Sequence, residues 1–381
     1  MDRSSLAGWL RLLLTPGLGR STARRLLAAF GLPDAVFEAD TEALQALLGS
    51  SLARSLAQVP EALGPAVEDT LAWLAQPPGA ASPQASRAVI ALGDPLYPPL
   101  LLATEDPPLL LFAQGRLDRL QTPGGWPRAV AIVGSRNPTA QGADHGLAFA
   151  RSLAQAGLCV VSGMALGVDA AAHEGALQGG AAGALRTVAV LGTGLDRVYP
   201  ARHADLAARI ADQGLLLSEF LLGTPPLAQN FPQRNRIISG LAQGTLVVEA
   251  TLRSGSLVTA RMAAEQGREV FAIPGSVHAP QSRGCHALIR QGAQLVETAQ
   301  DVLDGLHVQA PPGAAAAPAP SPGVRRDPVL EVLGHDPMSL DGLVARCGWP
   351  ASALLPRLLE LELEGRVARL PGGLFQRRDA A

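Results

Sequence analysis

The sequence contains no lysine, and its 31 basic residues are therefore all arginines. A P-loop nucleotide site needs a lysine that reaches the phosphates. Schiff-base enzymes need a lysine amine as nucleophile, and a lysine general base needs the same group. The absence of lysine excludes these three kinds of site, and any electrostatic contact with nucleic acid needs a local cluster of arginines.

Cysteine is also scarce. The three cysteines stand at positions 159, 285 and 347, with no CxxC pair and no metal-ligand spacing. We expect buried or incidental thiols in a reducing compartment, no metal site and no cofactor.

The sequence also lacks long apolar runs and a basic surplus. It has no stretch of about 18 apolar residues, which a transmembrane helix needs, and Arg11 interrupts the first apolar run too early for a signal peptide. We therefore expect a cytoplasmic protein without a membrane span. The net charge of −2 gives no general indication of nucleic-acid binding. With 4% aromatic residues, the core must consist mainly of Leu, Val, Ile and Ala.

Two segments rich in proline and alanine, 76–86 and 309–323, interrupt the 381 residues. Such segments are typical of extended linkers. They predict an N-terminal domain at 1–75, a core at 87–308, a linker at 309–324 and a C-terminal domain at 325–381.

The spacing of apolar residues predicts the class of each part. Leu6, Leu10 and Leu44 belong to helical repeats in the first part. The core alternates short apolar runs with amphipathic segments, which predicts an α/β fold with an extended Rossmann-like parallel sheet and helices on both faces. Its strands are predicted at 88–92, 129–133, 158–161, 188–191, 215–217, 246–249 and 270–273. The last part has three helices and a hairpin around Gly372, the layout of a winged helix.

Glycine-rich turns follow three of the predicted strands, at 134–139, 162–167 and 192–197. A glycine between a strand and a helix start presents free backbone N–H groups to an anion. The third turn resembles GxGxxG, but Arg197 stands where the last glycine belongs, which argues against a dehydrogenase. Each turn alone is equally explained as a tight connection; together they indicate a phosphate-rich ligand.

Two later segments carry the densest polar clusters of the core. In 230–240, Arg234 and Arg236 accompany Phe231, and arginine beside an aromatic ring suits single-stranded nucleic acid. The alternative is a solvated helix start with an intrahelical asparagine bond. In 249–261, Ser254–Ser256 precede another helix start, and Glu249 is either catalytic or bonded to backbone or arginine.

These segments resemble the DNA-processing protein A family (DprA/Smf) along nearly the whole core. The matching stretches are VGSRNPT (133–139), VVSGMALGVDAAAH (160–173), VAVLGTGLDRVYP (188–200), SEFLLGTPP (218–226), NFPQRNRIISGL (230–241), VVEATLRSGSLVTARMAAEQGREVFAIPG (247–275) and GCHALIRQGAQLV (284–296).

The resemblance implies a function. Members of this family are homodimeric single-stranded-DNA-binding proteins of natural transformation and recombination, which protect incoming DNA and help to load the RecA recombinase. Their sheet is similar to that of nucleotide-binding, lysine-decarboxylase-like enzymes. We therefore expect single-stranded DNA, RecA and a second copy of the chain as partners, and no enzymatic activity.

The resemblance also implies which residues form the DNA groove, although many members use lysines there. The expected DNA-binding residues are Gly134, Ser135, Arg136, Asn137, Ser162, Gly163, Asn230, Phe231, Arg234, Asn235, Arg236, Arg253, Ser254, Gly255 and Ser256. The segment 284–296 is expected to form the dimer contact through His286, Leu288 and Leu295, for which ordinary core packing is the alternative.

The flanking domains are less specific. Residues 14–20 (LTPGLGR) resemble a helix-hairpin-helix turn within an N-terminal domain of the SAM or helix-hairpin-helix type; the alternative is a domain used for packing. The C-terminal domain has eight arginines and eight acidic residues over 325–381. A balanced charge suits phosphate poorly, and this favours contact with protein.

Two other functions remain open. A nucleotide-cleaving or nucleotide-sensing enzyme of the lysine-decarboxylase-like group is one, although of the PGGxGTxxE pattern of those enzymes the chain has only Gly244 and Thr245, with Glu249 one residue beyond the place of the final acid. Asp169 and Glu249 are the candidate catalytic acids. A transcription regulator that senses a nucleotide is the other, and the neutral C-terminal domain and long linker argue against it.

Overall fold

The structure is a computed structural model that describes residues 1–77, 79, 84–121, 125–309, 327–333, 337–370 and 372–378. The predicted linker at 309–324 lies outside the described residues except for its first position. No helix of the described ranges is long and apolar enough to cross a membrane.

The N-terminal part is helical. Asp2 caps the first helix by accepting the Ser5 N–H at 2.8 Å, and Gly17, with φ +78°, makes the turn towards the second. Leu6 and Leu10 are buried on one face, as their spacing predicts. The helices are α1 (Arg3–Leu14), α2 (Arg20–Phe30), α3 (Pro33–Glu38), α4 (Thr41–Leu48), α5 (Ser50–Ala57) and α6 (Leu63–Ala75).

The core contains one large sheet. Its strands in chain order are β1 (Ser86–Ala91), β2 (Leu110–Gly115), β3 (Ala129–Val133), β4 (Cys159–Ser162), β5 (Thr187–Val190), β6 (Leu215–Ser218), β7 (Gly244–Val247), β8 (Glu269–Ala272) and β9 (Gln294–Leu295). In space the order is β1-β2-β6-β5-β4-β3-β7-β8-β9. The pairs β1–β2 and β2–β6 are antiparallel, and the other pairs are parallel.

Helices cover both faces of this sheet. They are α7 (Pro99–Leu102), α8 (Ala140–Gln155), α9 (Val168–Gly179), α10 (Ala204–Gln213), α11 (Asn230–Gly240), α12 (Ser256–Glu265), α13 (Arg283–Arg290) and α14 (Ala299–Gly305), with 3-10 turns at Leu117–Leu120, Ala201–His203 and Pro280–Ser282. The mixed α/β class and the mostly parallel sheet with helices on both faces are confirmed.

The N-terminal helices pack directly on the sheet. One buried apolar cluster contains Leu10 and Leu26 of the helices together with Phe112 of β2. Trp73 of α6 meets Phe112 edge-on, with 6.0 Å between ring centroids. This shared apolar cluster holds the N-terminal helices against the sheet.

The C-terminal part has the winged-helix order. It contains α15 (Pro328–Leu333), β10 (Met338–Ser339), α16 (Leu340–Cys347), α17 (Ala351–Leu363), β11 (Val367–Leu370) and β12 (Leu374–Arg377), with strand order β10-β12-β11. Leu343, Leu354 and Phe375 are buried in its own apolar cluster. The predicted winged helix is confirmed.

The main difference from the sequence prediction lies at one edge of the sheet. Strand β2 was not predicted, because its run of apolar residues has no period that separates a buried strand from a buried helix. Strand β2 pairs antiparallel with β6, where Gly115 lies opposite Leu215. This pairing depends on the tertiary fold and not on the local sequence. The short β9 at the opposite edge was also not predicted.

Candidate nucleic-acid interface

The polar turns after the central strands meet at one edge of the sheet. Strands β4 and β7 lie on opposite sides of β3, so the chain leaves β3 and β7 in different directions at this point. Ligands of parallel sheets bind at such a switch point, beyond the carboxyl ends of the strands. A side chain at Gly134 would meet Val168 of α9 at 2.7 Å, and one at Gly167 would meet the Ser135 carbonyl at 2.4 Å. Glycine therefore lets the two turns touch.

An arginine and two aromatic rings are grouped at the surface of this edge. Arg136 is exposed, and its guanidinium carbon lies 5.7 Å from the centroid of the Phe231 ring. Tyr199, 48% exposed, lies with its ring centroid 5.6 Å from that of Phe231 at an interplanar angle of 44°. This arrangement presents a cation beside aromatic faces on which a base can stack.

Arg234 lies beneath this surface and is buried. Its guanidinium donates to the carbonyls of Gly163 and Val190, which end β4 and the neighbouring β5. A Cβ at Gly163 would lie 2.2 Å from an Arg234 nitrogen, so only glycine fits there. Arg234 therefore ties two strand ends to α11 and forms part of the floor of the site.

The floor contains further titratable groups. Asp169 has an oxygen 4.0 Å from Arg234 and accepts the Ala165 N–H at 3.1 Å. Burial raises the pKa of Asp169, against the attraction of Arg234. Burial also lowers the pKa of Arg234 to about 10, which leaves it charged at neutral pH.

His173 is fully buried next to this pair. Its Nδ1 lies 2.7 Å from the Thr187 hydroxyl, which itself donates to the Val160 carbonyl, so Nδ1 must carry the proton. Burial, followed by the charges of Arg234 and His203, lowers the pKa of His173 to about 3. The ring is therefore neutral throughout the physiological range.

Arg236 points the other way, towards the N-terminal helices. It pairs with Glu219 and with Asp106, and donates to the Asp106 carbonyl at 2.6 Å. Arg20 and Arg24 of α2 pair with the same Asp106. Arg236 thus belongs to a charge network between α11 and the N-terminal domain.

The start of α8 is already occupied by a carboxylate. Glu249, which follows β7, accepts the Thr139 N–H at 2.9 Å and the Thr139 hydroxyl. A Cβ at Gly142 would lie 2.3 Å from the Glu249 carboxyl carbon, so this carboxylate covers the first turn of the helix. An anion site at this helix start is therefore not open, because the protein supplies the negative charge itself.

A second group of polar residues stands at the start of α12. Arg253 and Gly255 are exposed, and the hydroxyls of Ser254 and Ser256 lie 2.7 Å apart. Asn235 of α11 approaches the Gly255 carbonyl at 3.5 Å. Helix α11 therefore lies between this group and Arg136.

Comparison with known proteins decides the family. The model of the family described as DNA recombination-mediator protein A matches residues 88–307, and that of the DprA winged helix domain matches residues 312–373. The chain belongs to the DNA recombination-mediator protein A family. Protein Smf of Escherichia coli is 44% identical over 322 residues, 82% of this chain and 82% of that protein.

Solved structures of the recombination-mediator family agree. The X-ray structure of DprA from Streptococcus pneumoniae matches with a TM-score of 0.64 and 36% identity over 80% of this chain and 98% of that chain. A Helicobacter pylori DprA structure, described as showing a unique single-stranded DNA binding mode, matches with a TM-score of 0.50 and 32% identity over 58% of this chain and 95% of that chain.

The structure divides the predicted DNA-binding residues of this recombination mediator into two sets. The residues that reach the surface are Gly134, Ser135, Arg136, Asn137, Phe231, Asn235, Arg253, Ser254 and Gly255, whereas Ser162, Gly163, Asn230, Arg234, Arg236 and Ser256 are buried. The expectation that Arg234 and Arg236 line the DNA groove differs from the structure, because backbone carbonyls and carboxylates enclose both guanidiniums. Ser162 bonds to the Ile132 carbonyl at 2.6 Å and Asn230 to the Gly192 carbonyl at 3.0 Å.

Tyr199 was not among the predicted residues. It is one of only two tyrosines in the chain, and it follows the third glycine-rich turn. The scarcity of aromatic residues, together with this position, is the signal that could have found it.

The predicted dimer residues have different surroundings. Leu288 is only 9% exposed and packs in the core of the sheet. Leu295 is 46% exposed on the edge strand β9, and His286 is half-buried with its Nε2 3.0 Å from the Gly275 carbonyl. Leu288 is therefore a core-packing residue, which was the alternative to a dimer contact. Leu295 and His286 lie where a second copy of the chain can reach them.

Gly163→Ala tests the floor. The added methyl group collides with the guanidinium of Arg234, so we expect the free energy of unfolding to fall by roughly 1–3 kcal/mol. Gly255→Ala is the matched control, because its Cβ meets nothing within 4 Å, and it should stay within about 0.5 kcal/mol of the parent. Urea unfolding measures both, and equal stability of the two variants would contradict the role of Arg234.

Because His173 is buried in its neutral form, we expect the free energy of unfolding to fall in mild acid. Its folded pKa of about 3 lies below the ordinary value of 6.5, so protons bind the unfolded chain preferentially. Its contribution is complete above pH 6.5 and falls as the pH drops, by about 2 kcal/mol at pH 5. Unfolding at a series of pH values measures this, and His173→Gln should flatten the curve; an unchanged slope would refute it.

Proposed function

We propose that this chain binds single-stranded DNA across the surface formed by Arg136, Phe231 and Tyr199. The Arg136 guanidinium contacts a phosphate, and the aromatic pair stacks a base. The exposed Asn137, Arg253 and Gly255 extend the path, together with the half-buried Asn235 and Ser254. The observation that carries this proposal is that the exposed Arg136 stands beside the half-buried ring of Phe231, which the exposed ring of Tyr199 adjoins, at the switch point of the sheet.

The buried residues act indirectly in this proposal. Arg234 fixes the ends of β4 and β5, and Asn230 fixes the start of α11, which presents Phe231. Replacing Arg234 with alanine would leave Asp169 without its charged partner inside the protein, so we expect that variant to lose stability. It is therefore unsuitable as a test of DNA contact.

We further propose the cellular role that family membership suggests. The protein acts as a cytoplasmic homodimer in natural transformation and recombination, protects incoming single-stranded DNA and helps to load the RecA recombinase. Residues 284–296 supply the dimer contact through His286 and Leu295. Membership of a DNA recombination-mediator family and the likeness to the Helicobacter pylori protein support this role.

The chain performs no catalysis in this proposal. A nucleotide-cleaving enzyme needs an acid that can reach a ligand. Glu249 lines the cleft beside the start of α8, but both of its carboxylate oxygens accept hydrogen bonds from Thr139, and Asp169 is buried against Arg234. These contacts favour binding over hydrolysis, and a hydrolysis assay with nucleoside monophosphates separates the two.

The first experiment is fluorescence anisotropy of labelled poly-dT, with single-stranded and duplex competitors at several salt concentrations. Arg136→Ala should weaken binding roughly tenfold, because a charge-assisted contact is lost. The salt slope should fall by about 0.7, the value for one phosphate of a single strand. Arg54→Ala on the exposed side of α5 is the control. An unchanged slope would show that Arg136 does not reach a phosphate.

Phe231→Leu separates stacking from charge. Base stacking on an aromatic ring is worth roughly 1–3 kcal/mol, so the affinity should fall at every salt concentration while the slope stays unchanged. The same anisotropy series measures both quantities, and urea unfolding checks the packing of Phe231 against Gly192. Parent-like affinity in a stable variant would remove Phe231 from the interface.

A further inference from the structure

The arginines of the winged-helix domain are concentrated in its wing. Arg366, Arg369, Arg377 and Arg378 lie in or beside β11 and β12, and no acidic residue occurs from 366 to 378. The charge of the whole domain is balanced only because its acidic residues lie elsewhere. The wing therefore carries a local excess of arginine that the net charge conceals, although Arg366 pairs with Glu364 at 3.5 Å.

This wing is held against the core beside the start of α8. Arg378 donates from Nε to Asp144 at 2.7 Å and makes a second bond from its other nitrogen. Gln376 of β12 donates to Gln141 at 3.3 Å. Because Gln141 precedes Asp144 on α8, β12 runs in the same direction as this helix. The tip of the wing, which precedes β12, therefore lies towards the N-terminus of α8.

The ends of β11 and β12 that flank the tip of the wing share a cleft with the turn that carries Arg136. Leu370 and Leu374 line a cleft of about 790 Å³ together with Asn137, Pro138 and Thr139. A strand of DNA that leaves Arg136 in this direction would pass the wing next.

Arg369 precedes Leu370 on β11 and is exposed. Because neighbouring residues of a strand face opposite sides, its side chain lies on the face of the wing turned away from the cleft, and a strand of DNA reaches it by passing over the tip. The guanidinium carbon of Arg369 lies 5.9 Å from the centroid of the Phe375 ring, and the described residues include no carboxylate that pairs with it. A cation held beside an aromatic ring without an acidic partner is available to a phosphate.

We infer that the wing is a second phosphate-binding surface for single-stranded DNA, which continues the path beyond the turn 134–139 through Arg369. This inference rests on the proposed function. It adds that the winged helix binds the same strand as the core, in place of duplex DNA or a protein partner.

The test is the affinity of the full chain for poly-dT of increasing length. Arg369→Gln should match the parent on the shortest oligomers and bind the longest about threefold more weakly. Its salt slope should be lower by about 0.7 on long oligomers only. Arg346→Gln, an exposed arginine of α16 outside the wing, removes the same charge from the same domain and should match the parent at every length.

Other outcomes overturn the inference. These are equal affinities of Arg369→Gln and parent at all lengths, an equal loss at all lengths, or a loss confined to duplex DNA. Arg378→Gln releases the wing and should bind long oligomers more weakly; tighter binding would mean that the wing covers the groove. If Arg136→Ala weakens binding at every length and Arg369→Gln does not, only the wing is excluded. If the parent binds no single strand, the proposed function fails.

Discussion

The site depends on one buried guanidinium. Arg234 takes the carbonyls that end β4 and β5 and lies next to Asp169, so a single side chain gathers two strand ends and one helix. A charge inside a protein is tolerated when hydrogen bonds and an opposite charge surround it. Gly163 lacks a side chain because the guanidinium fills that space. Phe231 keeps its position because the helix that carries it is anchored there.

Arginine serves two different purposes in this lysine-free chain. Its planar group donates up to five hydrogen bonds, so Arg234 and Arg236 can each join several buried acceptors. Arg136, Arg253 and Arg369 remain at the surface, where the same geometry suits phosphate. The net charge of −2 does not reveal these two roles. Acidic residues lie beside the buried arginines, whereas the exposed arginines stand in separate places on the surface.

The alternation of apolar runs predicted the parallel core, and the glycine turns predicted the edge where the site lies. Burial within that edge was not predictable, because Arg236 meets Asp106, which lies 130 residues away along the chain. Local spacing gave Arg234 and Arg236 the appearance of an exposed basic helix start. The prediction of an anion site at the start of α8 was wrong for a similar reason, because Glu249, which occupies this helix start, follows β7 and is distant in the sequence.

Helix α11 connects two surfaces through its ends. Phe231 stands near its start, and Arg236, one and a half turns on, joins the charge network shared with Arg20 and Arg24 of α2. A partner that pulls the N-terminal domain away from the core has to break this network, whereas the start of α11, which carries the aromatic ring, stays tied to the strand ends through Asn230 and Arg234. The aromatic ring of the groove is thus held by the sheet, and the N-terminal domain is held by the far end of the same helix.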